Sequence, residues 1–220
     1  MKLPRHLTHT TSQRKSTKGT QNMTTPPAHS LDRFVYSQRA GYVEPEVRDA
    51  FSRAVPLKTI VIYCYDPRAA AIPFELAKLW PGEVYPGELV FDGNGKKVGG
   101  TATIFPVVVA GGRAVDALRS ITIGRHLFGL QNIAVVHHTN CGTSSYTPQG
   151  LLDAYRDEEG VEISAIYDRE SLAIGHLETS LEHDVALLRN SPAIPTAVNI
   201  VGYVFDIDTE EFIGDAMTRP

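Results

Sequence analysis

Two short apolar runs in this chain each lead into a polar motif that contains one of its only two cysteines. Residues 59–63 lead into Cys64, and residues 133–137 lead into His138 and Cys141. Such runs, rich in β-branched residues and bounded by polar residues, are typical of buried strands. They alternate with segments of helical periodicity, which is the pattern of parallel βαβ units. The sequence therefore predicts an α/β fold with a mostly parallel sheet flanked by helices.

The spacing of apolar residues and the positions of Gly and Pro predict the individual elements. Strands are predicted at residues 58–63, 88–91, 102–110, 131–137 and 197–206, with a turn and a short return at 207–213. Helices are predicted as pieces within 31–55 around Gly41, in the later part of 68–80, and at 114–128, 153–157 and 172–189. Pro73 limits where the helix within 68–80 can begin. A turn at 92–95 is predicted to join the second and third strands.

Length, composition and charge exclude several classes of protein. The chain has 220 residues, 42% hydrophobic and 21% charged, which is ordinary for a single globular domain. Its net charge of -4 predicts no nucleic-acid partner. Because no apolar run approaches the roughly 20 residues that cross a bilayer, no membrane partner is predicted. Two cysteines without an apolar export signal favour a reducing compartment, and we expect a cytoplasmic location.

The first 30 residues differ in composition from the rest of the chain. They are rich in Thr, Ser, Gln, Lys and Arg, and the first acidic residue is Asp32. Such a segment buries too little apolar surface to offset its ordering entropy, so residues 1–30 are predicted to be a disordered basic tail. A mitochondrial presequence is the alternative, although Leu3 and Leu7 provide little of an amphipathic face. Residues 31–220 are predicted to form one domain.

The two cysteine motifs together offer the donor atoms of a zinc site. The carboxyl ends of neighbouring parallel strands meet at one edge of a sheet, so Cys64 can converge with His138 and Cys141. Two thiolates and an imidazole suit zinc and leave one coordination position open for chemistry. Asp66 can reach a water molecule on such an ion, or bind the ion itself. Arg68 can hold that carboxylate in a bidentate pair.

Each member of this set has a structural explanation when it is considered alone. A buried cysteine at a strand end is most often inert packing. His137 is predicted to contact backbone or solvent, because strand alternation points it away from His138. The remaining candidate histidines fall in helix-like segments and are predicted to be surface residues; they are His126, His176 and His183. The joint pattern at two strand ends favours the metal site.

Cys64-x-Asp66-x-Arg68 and His138-x-x-Cys141 resemble the paired zinc motifs of the β-class carbonic anhydrases, in particular the small members of that family. The resemblance implies that Cys64, His138 and Cys141 bind zinc and that Asp66 and Arg68 form a gatekeeping catalytic dyad. It also implies a β-carbonic-anhydrase-like sheet, an N-terminal helical arm that wraps a partner subunit, and a homodimer or higher homo-oligomer with active sites near the interface.

The resemblance covers about residues 57–217, with three departures. Val108 and Val109 stand where the family usually carries Arg and Asn, so two polar groups near the pocket are replaced by apolar ones. Pro67 stands between the dyad residues, where a small residue is usual, and its fixed φ could alter the dyad. The hairpin around residues 92–100 looks like an insertion. These departures bear more on which substrate the site accepts than on whether it binds a metal.

The leading functional hypothesis is reversible hydration of carbon dioxide to bicarbonate by zinc-bound hydroxide, the reaction of a carbonate dehydratase (a lyase). The first alternative is a zinc hydrolase that acts on carbonyl sulfide or carbon disulfide at the same site. A further alternative is a zinc-binding or redox protein without turnover, with Asp66 permanently on the metal or Cys64 joined to Cys141. A cysteine hydrolase fits less well, because it gives Cys141 no role.

Overall fold

The computed structural model describes residues 31–217, so the predicted basic tail lies outside the described residues. The described residues form two compact units, the first ending at Tyr42 and the second beginning at Val43. The first contains two short 3-10 helices, Asp32–Phe34 and Tyr36–Gln38, whose side chains are largely exposed. The single domain predicted for residues 31–220 stays a prediction.

The second unit contains the regular elements. Its α-helices are Glu44–Ala54 (α1), Ile72–Leu79 (α2), Leu118–Phe128 (α3), Pro148–Ala154 (α4) and Leu177–Asn190 (α5). Its strands are Thr59–Cys64 (β1), Leu89–Phe91 (β2), Lys97–Gly100 (β3), Ile104–Val109 (β4), Asn132–His138 (β5), Asn199–Asp206 (β6) and Glu211–Met217 (β7). No helix among the described residues is long and apolar enough to cross a membrane.

A five-stranded sheet in the order β4-β1-β5-β6-β7 forms the centre of this unit. Strand β1 lies parallel to both β4 and β5, and β6 lies parallel to β5. Only the edge strand β7 runs antiparallel, against β6. The predicted α/β fold with a mostly parallel sheet and flanking helices is confirmed.

Apolar side chains cover both faces of the sheet. Ile60 and Ile62 of β1 belong to a core cluster that includes residues of α3 and α5. Val61 and Tyr63 point to the other face and pack in a cluster with residues of α2. Full burial of one such side chain stabilises the fold by about 1.5–3 kcal/mol. Burial on both faces explains why the central strands are continuous apolar runs.

The predicted turn at residues 92–95 joins different strands from those expected. It connects β2 to β3, and these two strands form a separate antiparallel sheet. The run predicted at 102–110 forms β4 of the main sheet instead. Strand β3 was missed because its Lys-Val-Gly-Gly sequence has no apolar alternation.

Two predicted helices begin at other positions. The helix predicted at 153–157 starts earlier, at Pro148, where the Thr147 hydroxyl accepts a hydrogen bond from the Gly150 amide at 3.0 Å. The helix predicted at 172–189 starts only at Leu177. Ile174, which falls in the predicted range before that start, lies in a buried cluster with the two cysteines.

A buried polar cluster lies beside β5 and corrects the prediction for His137. This side chain is fully buried, and its Nε2 lies 3.1 Å from Oδ2 of Asp184 on α5. Arg113 donates from Nε to the same oxygen at 2.9 Å and from Nη2 to Oδ1 at 3.2 Å. His137 therefore contacts a buried carboxylate, not backbone or solvent. Alternation had correctly placed it on the opposite side of β5 from His138.

Loss of the Asp184 charge should strongly destabilise the fold. Burial disfavours the carboxylate, but hydrogen bonds from His137 and Arg113 outweigh it and lower the pKa of Asp184. In Asp184→Asn the buried Arg113 charge loses its counter-ion, and we expect a loss of about 3–5 kcal/mol in urea unfolding. The control is Asp49→Asn, which removes the exposed partner of Arg53 and should cost less than about 1 kcal/mol. Equal effects of the two substitutions would contradict this account.

A second prediction concerns Gly112, which follows β4 with a positive φ of 68°. A Cβ atom there would lie 2.7 Å from the carbonyl oxygen of Val136 and 3.0 Å from Cα of Tyr63. Gly129 ends α3 with a similar φ of 71°, but a Cβ atom there would meet no atom within 4 Å. Gly129→Ala should therefore cost about 1 kcal/mol in urea unfolding, and Gly112→Ala about 3 kcal/mol. Similar losses of unfolding free energy in the two variants would show that the close contacts at Gly112 do not contribute to the cost.

Candidate metal centre

The three predicted metal ligands lie at one edge of the sheet. Cys64 is the last residue of β1 and His138 is the last residue of β5. These strands are parallel neighbours, with Ile62 paired to Val135, so both chains leave the sheet at the same edge. Cys141 follows His138 in the loop before the 3-10 helix Gly142–Ser144. The structure brings these three residues together at the strand ends, as the sequence predicts.

The donor atoms of these residues form a compact buried group. One ligand atom each from Cys64, His138 and Cys141 lies within 4.8 Å of the other two. The two sulfur atoms are 3.8 Å apart, and both cysteines are free thiols. Ile174 packs against both cysteines and shields the cluster on its apolar side.

One nitrogen of His138 has a hydrogen bond and the other does not. Its Nδ1 lies 2.8 Å from the carbonyl oxygen of Thr139, so a neutral ring carries its proton on Nδ1. Its Nε2 is buried and has no hydrogen-bond partner among the described residues. A buried lone pair without a donor is costly unless something binds it. The tautomer thus leaves Nε2 available to a metal ion.

The two thiols have different electrostatic surroundings. Burial raises the pKa of Cys64, and the neighbouring Cys141 adds to this effect. Burial also opposes ionisation of Cys141, but interactions with His138 and Thr143 outweigh it and bring its pKa to about 7. The thiolate is the form that binds metals, and these surroundings favour the thiolate at Cys141 more than at Cys64.

Asp66 and Arg68 form the predicted pair at the mouth of the site. The guanidinium donates to both carboxylate oxygens, from Nε to Oδ1 at 3.0 Å and from Nη2 to Oδ2 at 2.7 Å. Side-chain and backbone hydrogen bonds from Arg68 lower the pKa of Asp66 to about 2, so the carboxylate is ionised at neutral pH. Arg68 also donates to the carbonyl oxygen of Asn140 at 3.2 Å, in the loop of the other motif.

Pro67 does not disturb the pairing of Asp66 with Arg68. It opens the 3-10 helix Pro67–Ala71, a position where its fixed φ is favourable and no amide hydrogen is needed. Asp66 caps that helix by accepting a hydrogen bond from the Arg68 amide at 2.9 Å. The unusual proline therefore stands in a turn that brings the two dyad side chains together.

A cavity of about 400 Å³ opens beside the cluster. Its walls are formed by Cys64, Tyr65, Asp66, Pro67, Gly142, Thr143 and Tyr146. The sequence analysis missed Thr143 and Tyr146; their only signal was their proximity to Cys141 along the chain. Val108 and Val109 do not line this cavity: the first is 46% exposed, and the second packs against the core.

The other predicted surface histidines lie outside the cluster. His176 is exposed just before α5. His126 is largely exposed, and its Nε2 lies 3.0 Å from a carboxylate oxygen of Glu44. His183 is partly buried, and its Nε2 lies 4.0 Å from Asp168. The metal cluster draws on none of the three.

The donor set and its dimensions fit zinc. Two thiolates and one imidazole are typical zinc ligands in proteins. With Zn–S bonds of about 2.3 Å and tetrahedral angles, two sulfur ligands stand about 3.8 Å apart. The measured separation of Cys64 and Cys141 is 3.8 Å, and the lone pair of His138 Nε2 is unused by the described residues. The three side chains can hold this ion without rearrangement of the two sulfurs.

Comparisons with known proteins agree with this site. No model of a known protein family matches the chain. The carbon disulfide hydrolase of Acidianus sp. is 31% identical over 116 residues, which cover 43% of this chain and 56% of that protein. β-Carbonic anhydrase 1 of Mycobacterium bovis is 28% identical over 94 residues, which cover 43% of this chain and 55% of that protein. The chain thus spans about half the length of the curated relatives it matches.

Solved structures show the same fold. Carbonic anhydrase from Streptococcus mutans has a TM-score of 0.52 at 24% identity, over 83% of this chain and 91% of that one. The apo form of a carbon disulfide hydrolase also has a TM-score of 0.52 at 24% identity, over 71% of this chain and 77% of that one. In its sequence relatives, its fold and its paired cysteine motifs, the chain is similar to β-carbonic anhydrases and to carbon disulfide hydrolases.

Proposed function

We propose that this protein is a zinc enzyme that catalyses the reversible hydration of carbon dioxide to bicarbonate. The observation that carries the proposal is the convergence of three buried donor atoms beside an ionised carboxylate. Relatives named as β-carbonic anhydrases support it. A zinc-binding protein without turnover would not need Asp66 held away from the cluster by a bidentate arginine.

Cys64, His138 and Cys141 would hold the ion through two sulfurs and one nitrogen. A bound zinc ion supplies a Lewis acid that activates water near neutral pH, with three protein ligands leaving a position for that water. The hydrogen bond from Nδ1 of His138 to Thr139 keeps the ring oriented with Nε2 towards the cluster. The chain thus provides both the ligands and the contact that orients one of them.

Asp66 would accept a hydrogen bond from the reacting water. Its ionised carboxylate acts only as an acceptor, so it orients the water with a lone pair towards the substrate carbon. Arg68 occupies both carboxylate oxygens and opposes rotation of Asp66 onto the metal. Water adds to the carbon of carbon dioxide, one proton passes to solvent, and bicarbonate leaves.

The cavity walls suit a small substrate of low polarity. Tyr65, Pro67 and Tyr146 provide ring surfaces beside the Cys64 sulfur. A small linear molecule of low polarity can bind there by contact alone, close to the polar edge formed by Asp66 and Thr143. Both carbon dioxide and its sulfur analogues have this shape.

The second candidate is hydrolysis of carbonyl sulfide or carbon disulfide at the same site. It is favoured by the 31% identity to the Acidianus carbon disulfide hydrolase. Water would attack the carbon in the same manner, and breakage of a C–S bond would release hydrogen sulfide. Val108 and Val109 do not support this second candidate, since neither residue lines the cavity.

We also propose that the protein works as a homodimer or higher homo-oligomer. Large apolar side chains in residues 31–42 are exposed, including Leu31 at 69% and Phe34 at 61%. An arm with this exposure is suited to packing on another subunit.

A parallel assay of three substrates on one zinc-loaded preparation tests the proposed function. We expect carbon dioxide hydration to be faster than hydrolysis of carbonyl sulfide or carbon disulfide. Asp66→Asn should keep zinc but lose at least about 100-fold in kcat/KM, because the amide cannot take the same acceptor role. Asp153→Asn, which alters an exposed pair with Arg156, is the control and should change neither quantity.

The other outcomes separate the alternatives. Fast sulfide hydrolysis with negligible hydration would make the second candidate correct. A fully zinc-loaded protein inactive on all three substrates would indicate a non-catalytic zinc protein. Full activity of Asp66→Asn would exclude the role given to the dyad.

A further inference from the structure

Thr143 contacts one metal-ligand sulfur and has no role in the motifs that identify the site. Its Oγ1 lies 3.1 Å from Sγ of Cys141, within the range used for hydrogen bonds to sulfur. The residue is 9% exposed, so water competes little for this hydroxyl. A thiolate ligand has no hydrogen of its own, so in the metal-bound form the hydroxyl must be the donor.

The surrounding backbone fixes the position of this hydroxyl. Gly111 has a φ of 63°, and a Cβ atom there would lie 2.6 Å from Oγ1 of Thr143. The absence of a side chain at Gly111 thus makes room for the hydroxyl beside Cys141. On the other side, the carbonyl oxygen of Thr143 accepts a hydrogen bond from the Ile174 amide at 3.0 Å. The Ile174 amide therefore anchors the Thr143 backbone, and the space left at Gly111 admits the Thr143 hydroxyl.

The other cysteine ligand receives a hydrogen bond from the backbone. Sγ of Cys64 accepts from the amide of Asp66 at 3.4 Å. The hydroxyl contact to Cys141 is shorter and comes from a side chain that can be replaced without altering the backbone. Substitution can therefore test the effect of this hydrogen bond on the metal.

We propose that Thr143 is a positioning residue that tunes the metal through the sulfur of Cys141. This inference rests on the proposed zinc site. Two thiolates donate enough charge to cancel that of a divalent ion, which makes the ion a poor activator of water. A hydrogen bond to one sulfur draws electron density away from the metal and restores part of its Lewis acidity. Without the hydrogen bond from Thr143, the Cys141 sulfur should donate more electron density to the metal.

The test removes the Thr143 hydroxyl and measures an absorption band that depends on the Cys141 sulfur. Thr143→Val keeps the shape of the side chain but has no donor, whereas Thr143→Ser keeps the donor. Ser144→Ala is the matched control, because the Ser144 hydroxyl donates at 2.7 Å to the carbonyl oxygen of Cys141 and not to its sulfur. Each protein is loaded with cobalt(II), and the sulfur-to-cobalt charge-transfer absorption is recorded. The zinc-loaded forms are then assayed for carbon dioxide hydration.

We expect the Thr143→Val band to move to longer wavelength, since a sulfur without its hydrogen bond is more easily oxidised. Its hydration kcat should fall about tenfold, in line with the loss of one hydrogen bond to a charged group. The band of Thr143→Ser should return to the wild-type position, and that of Ser144→Ala should remain there. Thr143→Ala serves as a second variant without the hydroxyl if the valine variant folds poorly.

Two results would overturn the proposal. Identical bands in wild type and in the variants without the hydroxyl would show that the contact does not affect the sulfur. An equal shift in Ser144→Ala would show that any loosening of the loop has the same effect. The absorption requires no turnover, so a band shift in a protein without hydration activity would support the role of Thr143 while removing the proposed function. A wild-type protein that binds cobalt without a sulfur band would contradict both.

Discussion

The parallel pairing of β1 with β5 is the constraint on which the site depends. It fixes Cys64 and His138 at the same edge of the sheet, from segments more than 70 residues apart in the chain. Both strands pack apolar side chains on both faces, so a shift in register would disrupt the packing of both core clusters. The stability of the core therefore also sets the distance between the metal ligands.

Strand alternation in β5 gives two adjacent histidines opposite environments. His137 points to the side of the sheet that α5 covers. There it forms a buried polar cluster with Asp184 and Arg113. His138 points towards the cysteines, with Nε2 unused by hydrogen bonds among the described residues. The first histidine anchors the end of the strand, and the second is thereby held at the site. Neighbouring loops then add Arg68, which holds the Asp66 carboxylate, and Thr143, which contacts the Cys141 sulfur.

The sequence was sufficient for the fold class, the central strands and the convergence of Cys64 with His138 and Cys141, because these follow from apolar runs and strand ends. It was insufficient where tertiary contacts override local pattern. Strand β3 is held by pairing and not by apolar alternation. Ile174 falls within a predicted helix but packs in a buried cluster with the two cysteines. Partners such as Asp184 for His137, and Thr143 for Cys141, depend on distances that no sequence spacing encodes.

X-ray absorption at the zinc edge of the protein identifies the atoms that surround the metal ion. We expect one zinc per chain, with two sulfur neighbours at about 2.3 Å and two nitrogen or oxygen neighbours at about 2.0 Å. A metal shell without sulfur would contradict it. So would a protein that takes up no zinc because Cys64 and Cys141 are joined as a disulfide.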